Sequence, residues 1–366
     1  MFAILIREGK GRGPVKNIGD YVQSIAQRQF LKGKKTCFVD IEELSDFKSD
    51  EQVNLIMNGW FTWNCKKFLP PTCINPLFVS FHLTPPKEIE FFTPEITDYL
   101  KRHEPIGARD MLTMGMMKNH GIDSYFSGCL TMTLGKTYWQ EKHEGGIYIV
   151  DPYLEFGGDK SLSAFKKLAR SFYYLLKNYQ KVKKIKNKFI DQYKTQISNL
   201  SPKLEHLLQT ATFYEIYSKR FSDDILLNAE YLTVLVDNDY SNEKKFLIAD
   251  EMLRKYANAQ CVITSRLHVS FPCLSMGTKN IFVMPSVKTE EKDVRRYSGR
   301  LGGLDDTVTV LELKDGKLNN TNDDLPQIIN VDNFPSAKKG YQKYCEQLSK
   351  TVESFIENGQ DEGGIH

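Results

Sequence analysis

The sequence lacks paired cysteines and long apolar runs, and each absence excludes a class of protein. Its seven cysteines are an odd number without a C-x-x-C pair, which fits neither a disulfide framework nor a zinc site. No stretch approaches the ~20 apolar residues that cross a bilayer, and the apolar run at residues 2–6 is too short for a signal peptide. We therefore predict a cytoplasmic protein with reduced cysteines and no bound metal.

A large excess of one charge is also missing. The formal net charge is +3 over 366 residues, so the molecule as a whole is not predicted to bind nucleic acid. With 41% hydrophobic and 26% charged residues, the composition is typical of a folded globular protein of about two domains.

Short apolar runs alternate with helical patterns along the chain, which predicts an α/β fold. We predict two Rossmann-like lobes facing a cleft, because open parallel sheets bind ligands at the carboxyl ends of their strands. The N-terminal lobe is placed at residues 1–140 and the C-terminal lobe at residues 146–335. A C-terminal helix, predicted from Lys338 to Glu357, and a polar tail occupy residues 336–366.

The segment from Asn17 to Asp20 lies where the first strand region passes into the first predicted helix. Backbone amides and the helix dipole at such a place can hold an anion or sugar hydroxyls. The alternative is that Asp20 is an N-cap residue beside a turn glycine. The G-x-G at Gly11 to Gly13 lacks the third glycine of a dinucleotide fingerprint, so a nicotinamide cofactor is not predicted.

Two loops of the first predicted lobe are further candidates. Arg109 precedes a predicted helix, and a guanidinium suits bidentate recognition of a carboxylate or phosphate; the alternative is a surface ion pair with Asp110 or Glu104. Ser127 and Gly128 belong to a small-residue loop that lets a ligand approach the backbone closely. A tight buried turn is the alternative for that loop.

The most informative local pattern is the segment from Thr264 to His268, which follows an apolar strand and precedes a helix. If the segment is extended, Arg266 and His268 point to the same side and place a permanent cation beside a proton carrier. A structural histidine is the alternative. The basic loop with Arg295, Arg296 and Arg300 could close over an anionic ligand or remain a solvated surface loop.

Lysines and aromatic residues are interleaved from Phe165 to Lys188, and no acidic residue interrupts the chain from Lys160 to Ile190. A basic helix with aromatic residues is typical of a peripheral contact with an anionic membrane surface. The alternative is a solvated helix whose aromatic side chains pack on the second lobe.

Several motifs together resemble the polysaccharide pyruvyltransferase family in order and spacing. They are Asn17-Ile-Gly-Asp20, Pro105-Ile-Gly-Ala-Arg-Asp110, Phe126-Ser-Gly-Cys-Leu-Thr131, Ile263-Thr-Ser-Arg-Leu-His268 and Pro272-Cys-Leu-Ser-Met-Gly277. The resemblance implies a GT-B-like fold and phosphoenolpyruvate as donor. It also implies that Arg109, Arg266, Leu267 and His268 bind the donor, and that Asp20 corresponds to the aspartate of the family's Gly-Asp pair. Residues 151–230 carry no motif of the family.

The resulting hypothesis is an enzyme that moves pyruvate from phosphoenolpyruvate onto two hydroxyls of a free or lipid-linked saccharide. The product is a pyruvate ketal of a surface, exopolysaccharide or capsular polymer, formed at the inner face of the membrane without a cofactor. His268, Asp20 and Arg266 are the predicted catalytic residues, and Asn17 and Asp20 the predicted acceptor ligands. The predicted donor ligands are Arg109, Ser127, Gly128, Arg266, Leu267, His268 and Arg296. The alternatives are a sugar-nucleotide-dependent GT-B glycosyltransferase and a non-catalytic protein that binds saccharide or membrane.

Overall fold

The computed structural model describes residues 1–8, 13–158, 162–189, 200–286, 301–304, 306–321 and 324–361, without the side chains of residues 360 and 361. The strands of this part are β1 (Phe2–Ile6), β2 (Val15–Asn17), β3 (Thr36–Asp40), β4 (Val53–Ile56), β5 (Gly59–Trp60), β6 (Ile74–Leu77), β7 (Phe81–His82), β8 (Ile106–Ala108), β9 (Ser124–Phe126), β10 (Ile147–Val150), β11 (Glu230–Leu232), β12 (Leu235–Asp237), β13 (Cys261–Thr264), β14 (Asn280–Pro285), β15 (Thr309–Lys314) and β16 (Lys317–Asn320). The α-helices are α1 (Gly19–Arg28), α2 (Glu88–Phe91), α3 (Pro94–Lys101), α4 (Met111–Asn119), α5 (Gly135–Tyr138), α6 (Ala164–Lys177), α7 (Tyr179–Ile185), α8 (Pro202–Tyr217), α9 (Asp223–Asn228), α10 (Asn242–Asn258), α11 (Leu267–Ser275) and α12 (Gln342–Asp361).

Most strands belong to three sheets in which nearly all neighbouring strands run parallel to each other. Their strand orders are β3-β1-β4-β6, β5-β7-β8-β9 and β11-β10-β13-β14-β15-β16, and only the last pair, β15 with β16, is antiparallel within them. Continuous apolar strands such as β1 and β10 are buried over their whole length, as expected for strands of a parallel sheet covered on both faces. The predicted α/β class, Rossmann-like and GT-B-like, is confirmed. The division into two lobes stays a prediction.

The first and third sheets share one hydrophobic cluster. It combines side chains of β1 and α1 with side chains of β10, α10, β13, α11 and α12, including Ile4, Tyr21, Leu253 and Val269. The short strands β2 and β12 also pair antiparallel, so that Lys16 lies opposite Val236. This packing brings the beginning of α1 close to the beginning of α11, although the two helices are far apart in the sequence.

Three local predictions differ from the structure. The helix after β13 begins at Leu267, inside the segment from Thr264 to His268 that was predicted to precede it, and the final helix begins at Gln342 rather than Lys338. The basic segment forms two helices, α6 and α7, with Asn178 between them. Among the described helices, none combines the length and the apolar character that crossing a membrane requires.

Candidate active site

The candidate site lies where the N-termini of α1 and α11 meet. The backbone N–H of Gly19 donates to Oδ1 of Asn17 at 2.8 Å. A Cβ atom on Gly19 would lie 2.9 Å from Nδ1 of His268 and 3.0 Å from Oδ1 of Asn17. Only glycine leaves room for this approach. The structure thus brings together Asn17 and His268, two residues predicted from separate motifs.

The side chain of Arg266 is held by a buried carboxylate that sequence analysis did not single out. Its Nε lies 2.7 Å from Oδ2 of Asp151, and Asp151 is fully buried directly after β10. The φ angle of Asp151 is 45°, a region that residues other than glycine seldom adopt and that clusters at functional sites. Burial raises the pKa of Asp151, and the positive charge of Arg266 opposes that rise. The arginine side chain remains 31% exposed.

The prediction that Arg266 and His268 share one side of an extended segment is wrong. Arg266 has extended backbone angles, but α11 begins at the next residue, so His268 already belongs to the first helical turn. The chain changes from strand to helix between the two residues, and their side chains contact Asp151 and Gly19, respectively. The first N–H groups of such a helix have no intrahelical partner and favour an anion.

Asp20 lies in the first turn of α1, but Ile18, not Asp20, is the N-cap residue. The carboxylate of Asp20 is 3.0 Å from Nε of Arg7 and 24% exposed. Arg7 also forms an ion pair with Glu42. Lys16 lies close by, and burial lowers its pKa to about 8 while the charge of Asp20 opposes this shift. Asp20 therefore borders a buried group of charges at the carboxyl end of β1.

Arg109 lies in a second cluster, at the end of β8. Its side chain is 4% exposed, and Nη2 is 3.4 Å from Oδ2 of Asp110. His82 Nδ1 is 2.7 Å from the same oxygen, and the Thr113 N–H donates to Oδ1 at 2.9 Å. Burial alone would raise the pKa of Asp110, but these neighbours, His82 first, lower it to about 2. The predicted surface ion pair of Arg109 is thus a buried one.

Hydrogen bonds and packing fix the positions of three further predicted residues, Ser127, Gly128 and Leu267. The hydroxyl of Ser127 accepts from the Ser80 N–H and donates to the Ala108 carbonyl, both at 2.9 Å. Gly128 has a φ of 75°, which forms the tight buried turn given as the alternative for this loop. The side chain of Leu267 belongs to a buried hydrophobic cluster together with Cys129. Burial raises the pKa of the Cys129 thiol although Arg109 lowers it, which disfavours the reactive thiolate.

The predicted site residues therefore fall into two groups. Asn17, Asp20, Arg266 and His268 surround the meeting point of the two helix N-termini, whereas the residues around Arg109 are buried in their own network. Arg296 lies outside the described residues. The residues missed by sequence reasoning are Arg7, Lys16 and Asp151; two of them directly follow a buried apolar strand, and that position was the available signal.

Comparison with known proteins gives the family. A model of the family described as polysaccharide pyruvyl transferase matches residues 17–286. The chain belongs to the polysaccharide pyruvyl transferase family. The matched range contains both groups of predicted site residues that the structure describes, and it begins at Asn17 itself. Family membership makes the protein a transferase of polysaccharide biosynthesis with a polysaccharide acceptor. No curated protein sequence matches the chain.

Proposed function

We propose that the protein transfers the pyruvyl group of phosphoenolpyruvate to two hydroxyls of a saccharide, forming a cyclic pyruvate ketal. The observation that carries the proposal is the contact of His268 with Gly19 at the N-terminus of α1, with Arg266 two residues before His268 in the chain. This arrangement offers a permanent cation, a proton carrier and two helix N-termini at one place. A donor with two anionic groups and a carbon that must be protonated requires such a combination.

Arg266 would bind the donor carboxylate or phosphate, because the Asp151 contact holds its guanidinium while leaving the side chain partly exposed. The N–H groups at the starts of α1 and α11 would bind the other anionic group. Arg109 stays a predicted donor ligand, but its burial and its ion pair with Asp110 favour a structural role.

In the proposed reaction, protonated His268 gives its proton to C3 of the donor, and the first acceptor hydroxyl attacks C2 while Asp20 accepts its proton. The C2–O bond to phosphate then breaks. The second hydroxyl attacks C2 in turn and loses its proton, so the products are the ketal and inorganic phosphate. Each assisted proton transfer contributes roughly 10²- to 10⁴-fold in rate.

The test is to incubate the purified protein with phosphoenolpyruvate and methyl galactoside, mannoside or glucosaminide. We expect acceptor-dependent release of phosphate and a saccharide product heavier by one pyruvate less one water. Arg266→Ala should abolish both signals at moderate donor concentration. Phosphate release that is equally fast without saccharide would contradict transfer.

The alternative of a sugar-nucleotide donor can be separated from phosphoenolpyruvate by measuring which ligand stabilises the protein. We expect phosphoenolpyruvate to raise the melting temperature of the wild type and not that of Arg266→Ala. Stabilisation by a nucleoside diphosphate sugar, with none by phosphoenolpyruvate, would instead favour a glycosyltransferase.

We also propose that α6 places the enzyme on an anionic membrane surface on the cytoplasmic side, where a lipid-linked acceptor would be met. Four large side chains form an exposed stripe on this helix, at 80%, 38%, 61% and 78% exposure: Phe165, Phe172, Tyr173 and Leu176. Lys166 of α6 and Lys183 and Lys184 of the following helix α7 are exposed as well. Exposed apolar side chains on a lysine-rich helical segment fit the boundary between lipid headgroups and acyl chains.

Vesicle sedimentation tests this contact. We expect binding to vesicles with phosphatidylglycerol, weaker binding to phosphatidylcholine alone, and an about tenfold loss of affinity in Phe165→Ala/Leu176→Ala. Ile89→Ala is the matched control, because Ile89 is 95% exposed on a different helix. Equal binding of the double variant and the control would contradict the proposal.

A further inference from the structure

Two tryptophans extend from the charged group at Asp20 toward solvent. The guanidinium carbon of Arg7 lies 5.3 Å from the ring centroid of Trp60, and its Nη2 donates to the Trp60 carbonyl at 2.7 Å. Trp60 and Trp63 meet edge to face, with ring centroids 5.6 Å apart. Asp20, Arg7, Trp60 and Trp63 therefore form one connected series of contacts.

Trp63 is 52% exposed at the outer end of this series. A tryptophan loses much of its hydrophobic stabilisation when half of its surface faces water, and exposed aromatic residues beside polar groups are typical of binding surfaces. The core of the first sheet does not include this ring, although it includes the neighbouring Phe61 and Cys65. Trp63 thus presents an exposed aromatic surface beside polar groups.

The polar groups around the rings suit a neutral polyhydroxylated ligand. A pyranose has an apolar face of C–H groups, which stacks on an aromatic ring, and a rim of hydroxyls, which bind carboxylates and amides. Asp20 supplies a carboxylate that is partly exposed, and Asn17 supplies an exposed amide. Arg7 is already paired with two carboxylates, those of Asp20 and Glu42. Within the described residues, the cation that contacts Trp60 is therefore already neutralised, which favours a neutral saccharide over a phosphate or a nucleotide.

We propose that this surface, made of Trp63, Trp60 and Asp20, is the acceptor subsite, where the ring of Trp63 stacks on a pyranose of the acceptor saccharide. Asp20 lies between the tryptophans and His268, because the next residue back in the chain, Gly19, contacts that histidine. A saccharide that begins on Trp63 and runs along Trp60 would thus extend toward Asp20. The inference rests on the proposed function for the identity of the ligand as acceptor, but saccharide binding can be measured without the donor.

The experiment is saturation-transfer NMR on the full chain with methyl β-galactoside, methyl α-mannoside and methyl N-acetyl-β-glucosaminide, in the absence of phosphoenolpyruvate. We expect at least one glycoside to receive saturation from the wild type and to bind Trp63→Ala at least about tenfold more weakly. Trp63→Phe, which keeps an aromatic ring, should restore part of the affinity. In turnover, Trp63→Ala should raise the acceptor KM with a smaller effect on kcat.

Trp139→Ala is the matched control. Trp139 is 61% exposed and lies near Gly277, which follows the C-terminal end of α11, whereas His268 lies at its N-terminal end. Unchanged melting temperature and unchanged stabilisation by phosphoenolpyruvate would show that Trp63→Ala is folded.

Each outcome decides one question. Equal glycoside binding by wild type and Trp63→Ala, an equal loss in Trp139→Ala, or no binding of any of the three glycosides by the wild type would overturn the subsite. Glycoside binding that depends on Trp63, without any pyruvylated product, would support the subsite and contradict the proposal that phosphoenolpyruvate is the donor.

Discussion

Arg266 and Arg109 each lie beside a buried aspartate, and the two pairs differ in the exposure of the arginine and in the pKa of the aspartate. Arg266 is 31% exposed and its partner Asp151 has a raised pKa. Arg109 is 4% exposed, and its partner Asp110 has a pKa lowered to about 2 because His82 and Thr113 also bind it. The Asp151 carboxylate also accepts from the Val234 N–H at 3.3 Å and from the Thr233 side chain, so both aspartates are hydrogen-bonded. The pairs are separated by the exposure of the arginine and by the direction of the pKa shift of the aspartate.

The difference between the two pairs indicates that the similar motifs at Arg266 and Arg109 have different roles. Both arginines follow apolar strands and precede helices, yet only Arg266 directly precedes α11, whose N-terminus meets that of α1. The following variants separate the two pairs by asking which changes reduce catalysis and which reduce stability.

Replacing the two histidines should give the largest contrast. His268→Ala should lower kcat by roughly 10²- to 10⁴-fold through loss of a proton carrier, with a smaller effect on the donor KM. His82→Ala should instead lower the melting temperature and leave kcat of the folded enzyme nearly unchanged. Equal effects of the two variants on kcat, measured by phosphate release, would remove the distinction.

Breaking the buried pair should destabilise the protein. Asp110→Ala leaves Arg109 as an uncompensated buried cation, so the free energy of unfolding should fall by about 3–5 kcal/mol. Urea unfolding measures this change. Surface pairs provide the control: Glu51→Ala, which removes the exposed partner of Lys35, should cost less than ~1 kcal/mol.

Filling the contact between the helices should reduce activity without unfolding the chain. In Gly19→Ala the new methyl group would lie 2.9 Å from Nδ1 of His268 and must displace that side chain. A displacement of about 1 Å in an active site costs about 10² in kcat/KM. Gly115→Ala is the control, since nothing lies within 4 Å of its added Cβ and alanine is preferred to glycine in a helix. Full activity of Gly19→Ala would contradict the assigned site.

Neutralising Asp151 should weaken donor binding more than it destabilises the fold. Asp151→Asn keeps an oxygen for Arg266 but removes the charge that holds it, so the donor KM should rise by about tenfold. Because burial raises the pKa of Asp151, its charge is unfavourable in the folded state, and the melting temperature should not fall. A large loss of stability with unchanged KM would make this pair equivalent to the pair at Arg109.

The smallest effect concerns pH. The folded pKa of Asp110, about 2, lies below its ordinary value of 3.8, so its ionised form stabilises the protein above pH ~4 and that contribution falls as the pH approaches 2. The stability difference between wild type and Asp110→Ala should therefore shrink by about 1 kcal/mol from pH 5 to pH 3. Asp151 acts in the opposite sense, because its raised pKa makes the folded state take up a proton more readily. A difference that grows on acidification would contradict the assignment.

Local patterns were enough to predict the parallel α/β fold and the positions of Arg266, His268 and Asp20 at the junctions of strands and helices. Spacing along the chain could not predict that Gly19 contacts His268, because this contact depends on how α1, α10 and α11 pack in one shared core. The buried network of Arg109 could not be predicted for the same reason, since His82 and Asp110 lie at the ends of different strands. Asp151 and Arg7 directly follow apolar strands and could have been singled out. The exposed Trp63 carried no local pattern.

The most direct test of the central claim is to run the reaction in D₂O with phosphoenolpyruvate and an active methyl glycoside, and to weigh the product. The account predicts a ketal whose mass exceeds that of the glycoside by one pyruvate less one water, with one deuterium in the new methyl group, because C3 is protonated from the solvent-exchanged site. A product without that deuterium, or phosphate release without any heavier saccharide, would contradict pyruvyl transfer by this site.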